Sequence, residues 1–377
     1  MRKQIRQGLG RRAAVTAAVL GVMTVGGVPA PPAVAAASRP DSVQRGLEAL
    51  VHADGLPAAL ASVTDRDGRT RSYTAGVGDL ATGAGVPVDG QVRIGSNTKT
   101  FTAVVVLQLV GEGKVRLDAP VDTYLPGLVR GKRIDGRRIT VRRLLQHTSG
   151  LPNYSDKAEL QPRYYAPRDL LDIALRYKAD FAPGKKWAYS NTNYVLAGLI
   201  VEKVTGRALA AEVDRRIVQR LGLRHTSFPA PGDVTLREPH PHGYYRESEG
   251  GPLVDVTEWD PSWGWAAGQM ISTNSDLDRF FTALLAGRLL PAAQLAQMRT
   301  TVPAEDLGPG ARYGLGIVSR PLSCGGVYWG HGGSMTGYET RGGVTEKGRA
   351  AGVAVTMQPG RAAKRRLERL VDTSLCR

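Results

Sequence analysis

A run of apolar residues without a helix breaker before Gly111 constrains this chain most strongly. The run covers residues 100–110 and follows a short strand-like stretch that ends at Gly95, which predicts a buried helix beginning just after Ser96. Residues three apart share a helix face, so the ammonium of Lys99 is expected about one turn from the Ser96 hydroxyl. A serine so placed can act as a nucleophile, although a helix-capping serine beside a solvated lysine is the simpler alternative.

Tyr189 and Asn191 form a second group, in a loop that follows a Pro-Gly turn and precedes a helix predicted over residues 194–203. A phenol held near a lysine ammonium would have a lowered pKa and could serve as a general base. The amide of Asn191 could bind both Lys99 and a substrate carbonyl. The alternative is a half-buried loop tyrosine followed by an asparagine that caps the helix.

The third group is residues 330–334, which read Gly-His-Gly-Gly-Ser after an apolar stretch. Paired glycines weaken a strand and often mark a place where another group, such as a bound acyl chain, approaches the backbone closely. The alternative is an ordinary hairpin turn that carries His331 on the surface.

In chain order, these groups resemble the motifs of the active-site serine penicillin-recognising family: Ser-x-x-Lys at Ser96, Tyr-x-Asn at Tyr189 and His-Gly-Gly at His331. That family holds the class C β-lactamases, the D-alanyl-D-alanine carboxypeptidases and related serine esterases. The likeness extends to segments 139–151 and 200–206 and covers nearly the whole chain. Within the family, the chain is most similar to the secreted serine D-alanyl-D-alanine carboxypeptidase/transpeptidase group that carries His in the third motif.

The resemblance implies an α+β fold of the β-lactamase/DD-peptidase type, with an antiparallel sheet flanked by helices and a helical lobe inserted at about residues 97–265. The catalytic residues it implies are Ser96, Lys99, Tyr189, Asn191 and His331. Whether Lys99 or Tyr189 takes the proton of Ser96 is open. The backbone N–H groups of Ser96 and Ser334 are expected to form the oxyanion hole. The residues it implies for the oxyanion hole and substrate binding are Ser96, Ser334, Gly332, Gly333, Trp263 and Arg320, with a core tryptophan as the alternative for Trp263. No metal or cofactor is expected.

The third motif departs from the family pattern in ways that bear on the substrate. His331 replaces a lysine and would be only partly charged at neutral pH, so its help to a substrate anion should fade as the pH rises through about 6.5. The carboxypeptidase binds a terminal carboxylate through an arginine and a threonine whose positions here hold Val318 and Gly332. Arg320 lies two residues along the same strand and could reach the same face.

Three functions are therefore open. The leading one is a secreted serine acyl hydrolase resembling D-alanyl-D-alanine carboxypeptidase, acylated by peptidoglycan stem peptides or β-lactams. The second is a serine esterase, amidase, D-aminopeptidase or class C-like β-lactamase of the same fold; an esterase or amidase would turn over uncharged esters or amides better than free carboxylates. The third is a catalytically silent wall-binding relative, which the complete set of motif residues disfavours.

Strand patterns occur at both ends of the chain. Residues 57–64 and 70–77 flank a Gly-containing turn and predict a hairpin. Near the other end, residues 352–357 predict a strand and residues 365–373 a helix. The chain shows no internal repeat or low-complexity linker after the first 37 residues, and it is long enough for one large core in a catalytic domain at 38–377.

Residues 1–37 have the pattern of a signal peptide. Five basic residues and no acidic ones are present, with an apolar stretch over residues 13–28 and an Ala-x-Ala cleavage site at residues 33–35. The apolar stretch is too short to be a convincing membrane span, and no later one is long enough. We therefore expect a secreted, extracellular protein without a transmembrane segment.

The chain is strongly basic. Removing the five cations of the first 37 residues lowers the formal net charge from +16 to +11. Such a charge favours attraction to anionic polymers such as wall polyphosphates. Nucleic acid is a poor candidate, because the sequence shows no basic recognition helix or zinc-ligand spacing. A monomer is expected.

The chain has two cysteines, Cys324 and Cys376. In an exported protein an even pair is expected to form a disulfide, which here would tie the final helix to the strand region beside the third motif. A metal site is the alternative, but it lacks any Cys-x-x-Cys or neighbouring His cluster.

Overall fold

Strands from both ends of the chain meet in one antiparallel sheet, in a computed structural model that describes residues 17–18, 41–248 and 250–377. In chain order the strands are β1 (Ala58–Thr64), β2 (Thr70–Asp79), β3 (Ala84–Gly85), β4 (Val92–Arg93), β5 (Arg130–Gly131), β6 (Ile134–Asp135), β7 (Tyr244–Tyr245), β8 (Val254–Asp255), β9 (Ile271–Ser272), β10 (Val302–Pro303), β11 (Arg312–Tyr313), β12 (Val318–Pro321), β13 (Val327–Gly330), β14 (Gly333–Met335), β15 (Tyr338–Thr345) and β16 (Ala350–Val355). The main sheet has the order β10, β11, β12, β13, β15, β16, β1, β2, β3, and β14 pairs with β15. Two-stranded pieces join β4 to β9, β5 to β6 and β7 to β8. The predicted signal peptide lies outside the described residues apart from two positions, so it stays a prediction.

Helices pack on the sheet and fill the middle of the chain. In chain order they are α1 (Ser42–His52), α2 (Thr98–Gly111), α3 (Val141–Leu145), α4 (Pro167–Leu175), α5 (Thr192–Thr205), α6 (Leu209–Val213), α7 (Gln219–Leu221), α8 (Trp265–Gly268), α9 (Asn274–Leu285), α10 (Ala292–Met298) and α11 (Arg361–Leu375). Within the described part of the chain, none is long and apolar enough to cross a membrane. The predicted α+β class is confirmed, whereas the bounds of 97–265 for an inserted lobe stay a prediction.

The alternation of side chains along each strand decides which helices a residue of the central sheet contacts. Successive side chains of a strand point to opposite faces. In β16, Ala351, Val353 and Val355 pack in one core with α1 and α11, whereas Ala350 and Ala354 belong to the other core, which α9 shares. Strands β1 and β16 are therefore buried on both faces.

The elements predicted from the sequence are present with shifted ends. The hairpin predicted at 57–64 and 70–77 is β1 with β2, and the strand predicted at 352–357 is β16. The final helix predicted at 365–373 is α11, which is longer at both ends. Apolar periodicity locates the middle of an element better than its ends, where capping and fraying decide the bounds.

Helix α2 is buried on all sides in the interior of the molecule. Every residue from Thr98 to Leu109 is buried, as the break-free apolar run predicts. The helix contacts α5 and α8. Just before α2, the N–H of Ile94 donates to the carbonyl of Met270 at 3.0 Å, which extends the pairing of β4 with β9. The first turn of α2 is thus held in place by surrounding elements.

Cys324 and Cys376 form a disulfide, as predicted. Cys324 lies between β12 and β13, and Cys376 directly follows α11. At the same place, the N–H of Ser323 donates to the carboxylate of Asp372 at 2.8 Å. The last helix is therefore tied to the turn that leads into the strand before the third motif.

Candidate active site

Ser96 lies in a short helical turn at the beginning of α2, one turn from Lys99, as the sequence predicts. The Nζ atom of Lys99 lies 2.9 Å from Ser96 Oγ and 2.8 Å from the carbonyl oxygen of Ala267. Lys99 is fully buried, and burial lowers the pKa of its amine well below the usual value for lysine. A neutral amine beside a serine hydroxyl can accept the proton that the serine loses on attacking a carbonyl carbon.

The ring of Tyr189 lies next to this pair, with its centroid 4.8 Å from Lys99 Nζ. Burial raises the pKa of Tyr189, and a hydrogen bond with Ser96 opposes the rise only in part. The predicted lowering of this pKa is therefore wrong for the free protein, because burial also disfavours the lysine ammonium that was expected to cause it. A neutral phenol is suited to donate a proton to a leaving group.

His147 holds the loop of Tyr189 by two hydrogen bonds, one on each side of the tyrosine. The N–H of Ala188 donates to the backbone carbonyl of His147 at 3.0 Å, and the N–H of Ser190 donates to its Nδ1 atom at 3.2 Å. His147 is fully buried at a φ of +59°, a region that residues other than glycine rarely adopt. His147 belongs to the family-like segment 139–151, whose His-Thr-Ser-Gly pattern was the available signal for this role.

Asn191 stands directly before α5 and close to the same loop. Its backbone N–H donates to Asn153 Oδ1 at 2.9 Å, and its Nδ2 donates to Ser155 Oγ at 3.3 Å. The predicted contact with Lys99 is not formed; the hydrogen bonds of the lysine amine go to Ser96 and Ala267. The Oδ1 atom of Asn191 is buried and has no hydrogen-bond partner among the described residues. Such an acceptor is costly unless a ligand supplies the donor.

Two glycines bring the third motif directly against Ser96. A Cβ atom at Gly95 would lie 2.6 Å from the backbone N of Ser334. A Cβ atom at Gly333 would lie 1.8 Å from the carbonyl oxygen of Ile94 and 2.9 Å from the backbone N of Ser96. Any larger residue would force the two backbones apart. The N–H groups predicted to form the oxyanion hole therefore belong to two backbones in direct contact.

His331 is buried and hydrogen bonded to Tyr313, a residue that the sequence analysis missed. The Tyr313 hydroxyl lies 3.0 Å from Nε2, and Nδ1 bonds to the carbonyl of Gly332. Because a carbonyl can only accept, Nδ1 carries the proton and Nε2 accepts from the tyrosine. Burial lowers the pKa of His331 to about 3. The predicted partial charge at neutral pH is therefore wrong, since desolvation favours the neutral ring.

A cleft with a volume of about 210 Å³ gives access to Ser96. Its lining residues include Tyr189, Val318, Arg320, His331, Ser334 and Arg341. The structure thus brings together residues of all three motifs with the predicted Arg320. The guanidinium of Arg320 makes no hydrogen bond or ion pair within the described part of the chain. It is therefore available to a ligand.

Arg341, which the sequence analysis missed, explains the glycine at position 332. Its guanidinium pairs with the buried carboxylate of Glu339 at 2.5 Å and donates to the carbonyl of Thr340 at 2.8 Å. A Cβ atom at Gly332 would lie 2.7 Å from Arg341 Nη1. A threonine at 332, as in the family pattern, would require this guanidinium to move, and the glycine there was the available signal for Arg341.

Trp263 does not line the Ser96 cleft. It lies beside a separate cavity of about 30 Å³, with Arg93 and Met335 in the same lining. Its indole is half-buried against the main core, and the hydroxyl of Tyr154 donates to its carbonyl at 2.5 Å. The packing of Trp263 fits the core alternative rather than a wall of the substrate groove.

Comparison with known proteins agrees with the motifs and the fold. The family model described as Beta-lactamase matches residues 43–375. A D-stereospecific amidohydrolase from Streptomyces sp. superposes with a TM-score of 0.82 and 40% identity, covering 89% of this chain and 99% of that chain. The D-amino acid amidase from Ochrobactrum anthropi SV3, in complex with L-phenylalanine amide, has a TM-score of 0.77 and 28% identity, covering 87% of this chain and 96% of that chain.

Among curated proteins, esterase EstB from Burkholderia gladioli is 36% identical over 189 residues, which are 45% of this chain and 46% of EstB. The chain spans about half the length of the curated relatives it matches, or less. The family match, by contrast, covers nearly all of the chain and confirms both the resemblance and the fold type. This chain therefore belongs to the beta-lactamase family and is a serine hydrolase.

Proposed function

We propose that the protein hydrolyses amide and ester bonds at the carboxyl group of D-amino acids, through an acyl-enzyme on Ser96. The observation that carries the proposal is the position above Gly332, where the family's threonine side chain would lie. The guanidinium of Arg341 occupies that position and is already paired with Glu339. With Val318 at the other position of the family's carboxylate clamp, the cleft suits a leaving group without a terminal charge. The similarity to the amidohydrolase and the amidase supports D-amino acyl amides as the substrate class.

The acylation step follows from the buried, neutral groups. Ser96 Oγ attacks the carbonyl carbon while its proton passes to Lys99 Nζ, 2.9 Å away. The N–H groups of Ser96 and Ser334 stabilise the resulting oxyanion, by roughly 3 kcal/mol each in comparable acyl-transfer sites. Tyr189 donates its phenolic proton to the leaving nitrogen or oxygen as that bond breaks, and the Lys99 ammonium returns a proton to the phenolate. Water then attacks the acyl-enzyme by the reverse path and releases the acid.

Cleavage of D-alanyl-D-alanine stem peptides is a second candidate, and the same acyl-enzyme would form with a β-lactam. Arg320 favours it, because an unpaired guanidinium lining the cleft could hold the carboxylate of the leaving D-alanine. The two candidates differ in one measurable property, the preference between a free carboxylate and an amide on the leaving group.

The first experiment measures turnover of D-phenylalanine amide and of its L enantiomer by the wild type and by Ser96→Ala. The proposal requires faster turnover of the D form and none by the variant. Incubation with a penicillin, followed by intact mass, tests the same serine: the wild type should gain one acyl group and Ser96→Ala none. If the folded wild type neither turns over amides or esters nor gains mass, the result would favour the third function, a catalytically silent wall-binding protein.

The second experiment compares peptides that end in D-Ala-D-Ala as the free acid or as the amide. We expect little preference for the free acid, because two groups of the clamp are missing, each worth about 1.5 to 3 kcal/mol. A strong preference that Arg320→Ala removes, and that the control Arg365→Ala on α11 keeps, would establish the carboxypeptidase instead. A strong preference that survives Arg320→Ala would also contradict the proposal and leave another group as the anchor.

Export and the wall as the place of action are part of the proposal and are supported by the first 37 residues of the sequence. A monomer that acts outside the cell is part of the same proposal. Amino-terminal sequencing of protein recovered from culture medium should find a start between residues 36 and 38. Recovery of the full-length chain from the cytosol alone would contradict it.

A further inference from the structure

We propose that a second groove, lined by none of the residues of the three catalytic motifs, binds an anionic polymer of phosphate-linked sugar or polyol units. We call it the basic groove and define it by its lining, which falls within residues 133–139, 149–151 and 179–183. Its volume is about 450 Å³, against about 210 Å³ for the Ser96 cleft. That size lies in the range of ligand-binding pockets, and none of the steps proposed for catalysis uses its residues.

Unpaired positive charge surrounds the basic groove. The hairpin of β5 and β6 lies against the loop after α4, where the N–H of Ala179 donates to the carbonyl of Lys132 at 3.1 Å. Asp135 and Asp180 are the acidic residues in the lining, and Asp135 is already engaged by two neighbouring arginines. The exposed cations of these two segments that form no ion pair within the described residues are Lys132, Arg133, Arg138, Arg176, Lys178, Lys185 and Lys186.

Arg133 and Arg138 are the cations that line the groove itself. Arg133 has a φ of +62°, in the left-handed region that a glycine would occupy at lower cost. That conformation belongs to the two-residue turn that joins β5 to β6. A guanidinium donates two parallel hydrogen bonds to phosphate oxygens, which an ammonium cannot do in a fixed plane. Two unpaired arginines in one groove therefore favour a phosphate-bearing ligand.

The floor of the groove favours sugar or polyol units between the phosphates. Ile139 and Leu151 are buried there, and the ring of Phe181 is half-buried, which gives an apolar surface for a ring or a short carbon chain. The carboxylate of Asp180 can accept hydrogen bonds from hydroxyl groups. Single-stranded nucleic acid would need a series of aromatic platforms, and the lining holds one aromatic residue. The inference does not depend on the substrate of the Ser96 site.

The test measures binding of a fluorescently labelled poly(glycerol phosphate) teichoic acid by anisotropy, at two salt concentrations. Neutral dextran, polygalacturonate and polyuridylate of similar length serve as comparison polymers. The test variant is Arg133→Gln/Arg138→Gln, and the matched control is Arg365→Gln/Arg369→Gln on α11, where both arginines are exposed. Each variant removes two charges, and thermal unfolding together with turnover of D-phenylalanine amide checks that each one is folded.

We expect the wild type to bind the teichoic acid more weakly at the higher salt concentration and not to bind dextran. The test variant should bind about tenfold more weakly or worse, the control should change less than about threefold, and both should keep wild-type turnover. Equal losses in the two variants would reduce the effect to net charge and overturn the proposal. Tighter binding of polyuridylate or of polygalacturonate through the same arginines would overturn the choice of ligand, and no binding at low salt would overturn the site.

Discussion

The active site brings together three titratable side chains, Lys99, Tyr189 and His331. Burial lowers the pKa of Lys99 and His331 and raises that of Tyr189, so that each shift favours the neutral form. Desolvation outweighs the attraction between Lys99 and Tyr189 that the sequence suggested, because within the described residues none of the three side chains forms an ion pair with a carboxylate. The residues that shape this environment are themselves buried. His147 and Tyr313 hold Tyr189 and His331 by hydrogen bonds to backbone and ring.

The first prediction concerns pH. Because the mechanism needs a neutral Lys99, kcat/KM for D-phenylalanine amide should rise as the pH increases through the lowered pKa of that amine and then level off. His331, with a pKa of about 3, should add no step near pH 6.5. Rates between pH 5 and 9 test this, with His331→Gln as comparison. A step near pH 6.5 that His331→Gln removes would show that the histidine is charged in the working enzyme.

The second prediction concerns His147 as a positioning residue. His147→Phe keeps the ring volume but loses the Nδ1 acceptor for the N–H of Ser190, so Tyr189 should lose its place and kcat should fall about a hundredfold with little change in KM. His147→Asn offers a side-chain oxygen as acceptor and tolerates positive φ, so it should recover much of the rate. Equal losses in both variants, with a matching loss of thermal stability, would reduce His147 to a structural role.

At the scale of elements, the sequence pattern predicted the features that depend only on residues close together in the chain. Helix α2 and the Ser96–Lys99 pair follow from the spacing of a helix turn, and β1 with β2 follows from strand alternation around a turn. Arg341 could not be placed in the cleft, because its position beside Gly332 depends on the pairing of β14 with β15. The bond from Tyr313 to His331 likewise needs the order of β11, β12 and β13, which the sequence pattern does not give.

Asp278 on α9 carries the third prediction. Its buried carboxyl accepts hydrogen bonds from Ser62 at 2.7 Å and Thr64 at 3.2 Å, and burial raises its pKa well above the usual value. The folded state therefore binds a proton that the unfolded state releases, so the free energy of unfolding should fall as the pH rises from about 4 through the raised pKa. Asp278→Asn keeps both hydrogen bonds without a charge and should be more stable than wild type at pH 8, by about 1 to 3 kcal/mol.

Urea unfolding at pH 5 and pH 8 measures this difference. The exposed Asp306→Asn is the control and should shift stability by less than about 0.5 kcal/mol at either pH. Loss of stability in Asp278→Asn at pH 8 would mean that the carboxylate is ionised and favourable in the folded protein.

At the scale of the whole molecule, the two ends of the chain hold the sheet together. Strand β1 pairs with β16, and α1 packs against α11 in a core that both ends share. The Cys324–Cys376 disulfide joins the last helix to the turn before β13. The sequence predicted this bond from an even pair of cysteines in a chain expected to be exported, whereas the partners of α11 required the structure.

The fourth prediction is that reduction of the disulfide lowers the melting temperature. The bond closes a loop with a sequence separation of 52, for which chain entropy predicts about 4 kcal/mol as an upper figure. Alkylation of the unreduced, denatured protein should find no free thiol. Reducing agent should leave the melting temperature of the Cys324→Ser/Cys376→Ser variant unchanged. Two reactive thiols in the native protein, or an unchanged melting temperature on reduction, would contradict the prediction.

The contact of Gly95 with the backbone of Ser334 has a consequence for when the enzyme becomes active. The nucleophile comes early in the chain, but the backbone that completes its surroundings is synthesised late, within strands that pair with one another and with the amino-terminal hairpin. A nascent or unfolded chain thus carries Ser96 and Lys99 in sequence without a binding cleft around them. We therefore expect activity only after both ends of the polypeptide have folded together, so that a chain exported in unfolded form would not hydrolyse acyl groups before it folds.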